Sequence, residues 1–392
     1  MPTESTFLFA GLLFLAAALG YVFARYGDFD EDDEELRESA RANFVKGFRH
    51  LLNEEPDQAV EVFTSSGDMD EEGLETQIAV GGLFRRRGEI DRAIRMHQNL
   101  LDRPGINRTQ RDKARFALAE DFFSAGLFDR AEDLYLQLRE AGEYRIAALR
   151  RLLRICEVTA EWDRAVDLCG ELLRIEAGAV PLAQLAHYYC ELAEQARRQG
   201  NWKEASRLLD QADSAEPGKL RCTLIRGDLA ADQGQMAAAA AAYAEIARAA
   251  PAMLGDILPR LLRTVPASGL GQLLDEVTGM PEGLRGIALA VIRDPQINHP
   301  GAIDSLGRFI EQQPILRDLA GAGFPAPTAM DSRRQAIERV RKALQQLTPP
   351  GTNYQCADCG YYSSVLQWQC PGCRAWDTVS AADRLLFKGS PV

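Results

Sequence analysis

A small residue recurs along the body of the chain at intervals of 34 to 40 residues, and this repeat constrains the fold most strongly. The recurring positions are Ala59, Ala93, Ala131, Ala165, Ala205 and Ala239. Before them lie small residues at Gly47, Gly81, Ala119, Ala193 and Gly227, and turn glycines at Gly88, Gly126, Gly200 and Gly234. Repeats of this length are typical of helix hairpins that bury one face only by stacking on the next hairpin. The pattern predicts an all-α tetratricopeptide superhelical solenoid over residues 41–347.

The array is expected to lose its regularity toward its C-terminal end. We predict that the array is degenerate after about residue 259 and closes with an amphipathic helix over 331–347.

Two earlier repeats depart from the pattern in their core. A bulky residue is expected four positions after each recurring alanine, but His97 and Cys169 stand there in two units. Four cysteines lie within apolar helical patterns and are predicted to fill the core: Cys156, Cys169, Cys190 and Cys222.

The first helices of such an array line a concave surface that binds an extended or helical peptide. By register, the charged candidates for that surface are Arg85, Glu120, Glu194, Arg197, Arg221 and Asp228. An isolated charge on a helix is more commonly an ordinary solvated side chain. We therefore assign no partner-binding site to these residues.

The segment 7–24, FLFAGLLFLAAALGYVFA, contains eighteen residues without a charge. As a helix it would be roughly 27 Å long, close to the thickness of the hydrocarbon core of a bilayer. A cleaved secretory signal is the alternative, but the preceding residues lack the basic region of such signals. The cations that follow, Arg25, Arg37, Arg41 and Lys46, place the bulk of the chain in the cytoplasm by the positive-inside rule. We predict a periplasmic leader over 1–6, a transmembrane anchor over 7–24, an acidic spacer over 25–40, and a single-pass location in the cell inner membrane.

Four further cysteines form two CxxC pairs near the C-terminus, with ten residues between the pairs. Each pair bends the backbone so that two thiolates converge, and two pairs complete a tetrahedral site for one Zn²⁺ or Fe ion. Unliganded thiols or disulfides within each pair are the alternatives, and a reducing compartment disfavours the disulfides. We predict a rubredoxin-like zinc ribbon over 352–378, stabilised by about 10–16 kcal/mol of apparent metal-binding free energy. Its predicted metal ligands are Cys356, Cys359, Cys370 and Cys373, within an aromatic core of Tyr354, Tyr361, Trp368 and Trp376.

Composition and missing motifs exclude several classes of function. The formal net charge of −12 argues against a general affinity for nucleic acids, and Arg374 is the one basic residue in the segment 354–378. The chain contains no HExxH, GxSxG or Walker A string, and its four histidines are dispersed. We therefore predict that it is not an enzyme. The strings YxCxxCG and WxCPxC are similar to rubredoxin, so the alternative function is a rubredoxin-like electron-transfer protein.

Two segments carry a resemblance to a known family: FVKGFRHLLNEEPDQAVEVF at 44–63 and LQWQCPGCRAWDT at 366–378. With the predicted anchor, the repeats and the ribbon in this order, the chain resembles the lipopolysaccharide assembly protein B family of Gram-negative bacteria. The resemblance implies an adaptor on the cytoplasmic side of the inner membrane that restrains lipopolysaccharide synthesis. Its implied partners are a membrane-bound AAA+ metalloprotease, the lipid A deacetylase that this protease degrades, and other lipopolysaccharide synthesis and transport proteins. Homo-oligomerisation stays open.

Overall fold

The computed structural model describes residues 45–47, 49–50, 55–65, 71–140, 142–294, 296–321, 330–347 and 353–382. The chain divides into two compact units, the first ending at Glu161 and the second beginning at Trp162. The first unit contains helices α1 (Pro56–Ser65), α2 (Glu71–Arg86), α3 (Ile90–Leu101), α4 (Arg108–Ser124), α5 (Phe128–Arg139) and α6 (Arg145–Thr159).

The second unit contains further helices and a small sheet. Its helices are α7 (Trp162–Ile175), α8 (Leu182–Arg198), α9 (Trp202–Ala215), α10 (Leu220–Asp232), α11 (Met236–Ala249), α12 (Leu254–Thr264), α13 (Ala267–Thr278), α14 (Pro281–Arg293), α15 (Pro300–Gln312), α16 (Pro314–Ala320) and α17 (Met330–Leu347). A 3₁₀ turn, Pro251–Met253, precedes α12. Its strands are β1 (Tyr354–Cys356), β2 (Tyr362–Ser363) and β3 (Val379–Ala381).

Within each unit, consecutive helices pack as the hairpins that the repeat predicts. The turn glycines have positive φ, as at Gly88 with φ +82° and Gly234 with φ +75°, a conformation that glycine adopts without a steric cost. Ala160 occupies the equivalent turn position before Ala165 and is also left-handed, with φ +59°. The described residues therefore form a helical array of the tetratricopeptide type, as predicted.

The small residues of the repeat make room for large side chains of the second helix. A Cβ atom added at Gly227 would lie 2.6 Å from Cε1 of Tyr243, which is almost fully buried. At Gly81 the same atom would lie 2.4 Å from Nε2 of His97. His97 is fully buried, and its Nδ1 lies 2.5 Å from Oδ2 of the equally buried Asp121. His97 thus fills the bulky position of its repeat and finds a polar partner there.

A polar link between neighbouring repeats occurs in both units. In the first unit, the hydroxyl of Tyr135 donates to Glu120 over 2.6 Å, and Arg151 on the next helix donates to the same carboxylate over 2.7 Å. The second unit has the same arrangement. There the acid is Asp228, which accepts from Tyr243 over 2.6 Å and from Arg260 over 2.8 Å. The acid on the first helix of one repeat therefore joins the second helix of its own hairpin to the next repeat.

The described helices after residue 259 continue the helical core. Three of its helices begin at a proline, namely Pro281, Pro300 and Pro314. Proline suits the first position of a helix because its missing N–H would have no partner within the helix. These prolines disturb the repeat pattern in the sequence without interrupting the packing of the described helices, since one buried cluster has members from Leu224 to Val340. The closing helix predicted over 331–347 is present as α17.

The predicted single-pass location in the inner membrane is contradicted. Of the helices in the described ranges, none is both long enough and apolar enough to cross a membrane. The physical reason is their charge, since even the 18-residue helix α17 has ionisable side chains along its whole length. The predicted anchor over 7–24, with the leader and the acidic spacer, lies outside the described residues.

Candidate metal centre

A three-stranded antiparallel sheet carries the cysteines near the C-terminus. The strand order is β2-β1-β3, and Cys356 at the end of β1 pairs with Val379 of β3. The side chains of Tyr354 and Cys356 point to the buried face, where Cys370 and Val379 pack against them. Leu366 and Cys373 pack against the edge of this cluster. The ribbon core is small and built largely around the sulfur atoms.

The two CxxC turns have the same backbone geometry but different residues at the critical position. After the first pair, Gly360 has φ +74° and its N–H donates to the carbonyl of Cys356 over 3.0 Å. After the second pair, Arg374 has φ +63° and its N–H donates to the carbonyl of Cys370 over 2.8 Å. A non-glycine residue in this conformation costs roughly 1–2 kcal/mol. The strained position of the second turn is thus Arg374, which the sequence did not reveal.

The four sulfur atoms converge on one point. All of them lie within 4.8 Å of one another, and none is in a disulfide. The Sγ atoms of Cys356 and Cys373 are 3.7 Å apart, and those of Cys359 and Cys370 are 3.6 Å apart. A tetrahedral site with metal–sulfur bonds of about 2.3 Å requires sulfur atoms about 3.8 Å apart. The set is therefore positioned to bind one metal ion, and both Zn²⁺ and Fe suit four thiolates.

The two sides of the sulfur cluster differ in exposure and in hydrogen bonding. Cys356 and Cys370 are buried, whereas Cys359 is exposed and Cys373 is half-buried. The hydroxyl of Thr378 lies 3.3 Å from the sulfur of Cys356, and this hydrogen bond, together with backbone N–H groups of Cys359 and Asp358, lowers the pKa of the Cys356 thiol to about 6. A lowered pKa favours the thiolate, which is the form that binds a metal.

The ribbon docks on helices of its own unit through Trp376. The indole of Trp376 stacks on the imidazole of His187 in α8, with ring centroids 4.6 Å apart and an interplanar angle of 16°. It also meets Trp162 and Tyr188 edge-on, at 6.2 and 5.9 Å. The guanidinium of Arg221 in α10 lies 5.8 Å from the centroid of this indole. Trp376 is therefore surrounded by aromatic and cationic groups rather than by the ribbon core.

The next residue, Asp377, supplies the charge at this junction. Its carboxylate accepts a hydrogen bond from Nε2 of His187 over 2.9 Å and forms an ion pair with Lys219. Burial opposes ionisation, but the bonds from His187 and Lys219 prevail and lower the pKa of Asp377 to about 2. Burial is also the main cause that lowers the pKa of His187. Arg221 lies 3.4 Å from Nδ1 of His187, so a neutral ring with its hydrogen on Nε2 can donate to Asp377 and accept from Arg221. Nζ of Lys219 also lies 3.0 Å from Nε2.

A second contact between the ribbon and the helices is centred on Tyr354. Its hydroxyl donates to the carboxylate of Asp256 in α12. Arg293 of α14 donates to the same hydroxyl over 3.1 Å and to the carbonyl of Asn353 over 3.1 Å. Burial raises the pKa of Asp256, which suits a carboxyl group deep in a contact. The ribbon is therefore held to α8, α10, α12 and α14 by two groups of polar bonds.

The predicted aromatic core around the metal is largely wrong. Tyr354 does lie in the ribbon core, but Tyr361 is 42% exposed. Trp368 packs against the helical core, and Trp376 stacks on His187. A small ribbon has little interior, so its large aromatic side chains bury more surface by packing on the neighbouring helices. The only sequence signal for this contact is the density of aromatic residues in so short a segment.

The six charged residues assigned by register to a groove are all bonded within the protein. Their partners are Asp121 for Arg85, Tyr135 and Arg151 for Glu120, Arg197 for Glu194, Asp232 for Arg197, Glu191 for Arg221, and Tyr243 and Arg260 for Asp228. The expectation that each is an ordinary solvated charge is therefore wrong. Of the six, Arg221 also contacts the ribbon.

Residues 354–381 match the rubredoxin metal-binding domain family, which covers the whole sheet and all four cysteines. The lipopolysaccharide assembly protein B of Escherichia coli K12 is 30% identical over 378 residues, which is 94% of this chain and 96% of that protein. The chain belongs to the lipopolysaccharide assembly protein B family. The lipopolysaccharide assembly protein B of Haemophilus influenzae is 28% identical over 396 residues, which again cover 94% of this chain and 96% of that protein.

The helical part of this family member is also similar to solved repeat proteins. The C-terminal part of a tetratricopeptide repeat-containing protein from Cytophaga hutchinsonii covers 67% of this chain and 99% of its own length. The identity is 14% and the TM-score is 0.38.

Proposed function

We propose that this member of the lipopolysaccharide assembly protein B family is a regulatory adaptor that acts by binding proteins rather than by catalysis. In this proposal it presents the lipid A deacetylase to a AAA+ metalloprotease and gathers other lipopolysaccharide synthesis and transport proteins. The observation that carries the proposal is the match to relatives named for lipopolysaccharide assembly across 94% of the chain. An array of helix hairpins with a rigid second module provides surfaces for binding proteins.

The ribbon has a structural part in this proposal. The chemistry that a bound Zn²⁺ or Fe ion supplies is four thiolate bonds that cross-link the two CxxC turns. Cys356, Cys359, Cys370 and Cys373 hold the ion. Trp376 follows the last ligand by three residues, so the shape of the second turn sets where its indole docks on the helices.

The test is the half-life of the lipid A deacetylase in cells that contain or lack this chain. We expect a half-life several-fold longer without the chain, restored to its short value by the wild-type gene and not by a Cys370→Ser gene. Cys222→Ser is the matched control, since Cys222 is equally buried but lies outside the sulfur cluster. An unchanged half-life on deletion would overturn the adaptor proposal.

A second candidate function is electron transfer by the ribbon. The observation in its favour is the exposure of Cys359, which brings one ligand of the site to the surface. This function requires bound iron with a reversible redox couple. Exchange of iron for zinc separates the two functions, because a structural site keeps its activity with zinc and an electron carrier loses it.

A further inference from the structure

The contact between ribbon and helices contains a pocket whose chemistry is unusually specific. We define the acceptor pocket as His187, Lys219 and Arg221 with the aromatic wall of Trp162 and Tyr188. His187 is fully buried and Arg221 is 5% exposed, so the groups at its base are removed from water. Such a pocket stabilises a ligand that supplies both an aromatic ring and a negative charge.

Two consecutive residues of the ribbon supply both features. The indole of Trp376 stacks on His187 and lies under the guanidinium of Arg221. The carboxylate of Asp377 bonds to His187 and Lys219. Asp377 has φ +58°, an uncommon conformation for a residue other than glycine, and its N–H donates to the carbonyl of Trp368 over 2.9 Å. The ribbon backbone is therefore bent so that this pair projects from it.

The charges of the pocket are balanced only when the aspartate is present. Arg221 pairs with Glu191 over 2.7 Å, a contact within the helical array. Lys219 pairs with Asp377, which the ribbon provides. Without the ribbon tip, Lys219 would keep its contact with Nε2 of His187, 3.0 Å away, but would lose its carboxylate partner. The pocket therefore has a charge that favours an acidic occupant.

The location of the pocket is that of a peptide site in a helical repeat array. His187 and Glu191 are one turn apart on α8, and Arg221 lies near the start of α10. These helices are the first helices of two consecutive repeats. In arrays of this type, side chains of the first helices form the peptide-binding surface. The ribbon tip thus occupies a position where a partner segment would bind.

The occupied pocket is not closed to solvent. The side chain of Asp377 is 43% exposed, although those of Lys219 and His187 are 11% and 0% exposed. A cavity of about 430 Å³ adjoins it, lined in part by Lys219, Arg221, Trp368 and Asp377. An incoming segment therefore has room to approach the cations before the ribbon tip leaves.

We propose that the acceptor pocket is a binding site for a protein segment in which an aromatic residue is directly followed by an acidic residue. The ribbon tip, Trp376 and Asp377, occupies this site within the same chain and competes with such a segment. This inference rests on the proposed adaptor function, because only a scaffold that binds proteins has a use for a site controlled in this way. An intramolecular competitor acts at an effective concentration on the order of millimolar, so partner binding is weak until the tip is displaced.

The test uses the full chain and a fluorescent peptide of residues 374–380, Arg-Ala-Trp-Asp-Thr-Val-Ser, whose binding is followed by fluorescence anisotropy. The tip variant combines Trp376→Ala with Asp377→Asn, which empties the pocket. We expect it to bind the peptide at least tenfold more tightly than the wild type does. Arg221→Gln in the tip variant should abolish this gain. Arg226→Gln is the matched control on the same helix, since Arg226 pairs with Asp210 and Asp213 outside the pocket.

Two outcomes overturn the proposal. One is equal affinity of the tip variant and the wild type, and the other is equal binding of a control peptide with Ala for Trp and Asn for Asp. If the tip variant does not fold, nuclear magnetic resonance of the wild type replaces it. There an excess of the peptide, but not of the control peptide, should shift the indole signals of Trp376, because this ring leaves its stack on His187, and unchanged signals overturn the proposal.

This experiment is independent of the deacetylase half-life. A negative peptide result with a half-life that still depends on the chain overturns the pocket and leaves the adaptor function. Peptide binding with an unchanged half-life supports the pocket and overturns the assignment of the deacetylase as its client.

Discussion

The indole ring of Trp376 stacks on the imidazole ring of His187, with centroids 4.6 Å apart and planes 16° from parallel. These residues lie in modules that are far apart in the chain, and the neighbouring bond from His187 to Asp377 joins positions 190 residues apart. The stacked pair is therefore the place to test how the ribbon and the helices stabilise each other.

Trp376→Ala should weaken the contact between the ribbon and the helices. Removing a half-buried indole costs less stability than removing a fully buried one. We therefore expect the free energy of unfolding of the second unit to fall by about 2–3 kcal/mol. Denaturant unfolding, followed by far-UV circular dichroism, measures this change. Trp202→Ala is the control, because Trp202 is 38% exposed. Its substitution should lower the free energy of unfolding by less than about 1 kcal/mol, as is usual for exposed positions. Equal losses for the two variants would show that Trp376 has no special part in docking.

Cys370→Ser should remove the metal and unfold the ribbon while the helices persist. The buried thiolate is one of four predicted ligands, and a hydroxyl in its place binds Zn²⁺ or Fe poorly. We expect less than one-tenth of the wild-type metal content by elemental analysis, with nearly unchanged helical circular dichroism. Cys222→Ser, at an equally buried position, should keep the metal. Full metal content in Cys370→Ser would refute the assignment of this ligand.

Acidification should weaken the second unit in the pH range below about 6.5. Burial lowers the pKa of His187 from 6.5, so the unfolded chain binds a proton here more readily than the folded chain as the pH falls. Stability contributed by the neutral ring is therefore present above 6.5 and is lost below it, where a charged ring would face Lys219 and Arg221. The midpoint of denaturant unfolding should be lower at pH 5.5 than at pH 7.5.

His187→Gln should reduce this dependence on pH, whereas His299→Gln in the same unit should retain it. Asp377 contributes at still lower pH, since its pKa is about 2 in the folded protein against 3.8 for an ordinary aspartate. Its stabilisation is present above 3.8 and is lost as the pH falls toward 2. A midpoint that is the same at pH 5.5 and 7.5 would contradict the role given to His187.

Gly227→Ala should destabilise the repeat formed by α10 and α11. The added Cβ atom would lie 2.6 Å from a ring carbon of the buried Tyr243, and such overpacking costs about 1–3 kcal/mol. Gly170→Ala is the matched control inside α7, because no heavy atom lies within 4 Å of its added Cβ. The control should be neutral or more stable by about 0.4–1 kcal/mol. Thermal unfolding measures both, and a neutral Gly227→Ala would mean that the hairpin can move apart at no cost.

Features that depend on local spacing could be predicted from the sequence. The interval of about 34 residues specifies helix hairpins, because the positions of close helix contact must recur with each unit. The two CxxC pairs specify convergent sulfur atoms for a similar reason, since each turn brings together residues only three positions apart. This periodicity correctly assigned Gly81 and Gly227, which lie four repeats apart, to the position of close contact between two helices.

Contacts between groups that are distant in the chain could not be predicted from the sequence. No local pattern joins Trp376 and Asp377 to His187 and Lys219, because their contact depends on how a folded ribbon fits against two helices. The charges assigned to a groove were misjudged for the same reason, since five of the six have a partner on a neighbouring helix, 30 or more residues away in the chain. The strained backbone at Arg374 was also hidden, because an ordinary side chain occupies a position where the matching turn has glycine. Local periodicity determines elements, whereas side-chain complementarity between elements exists only once they have packed.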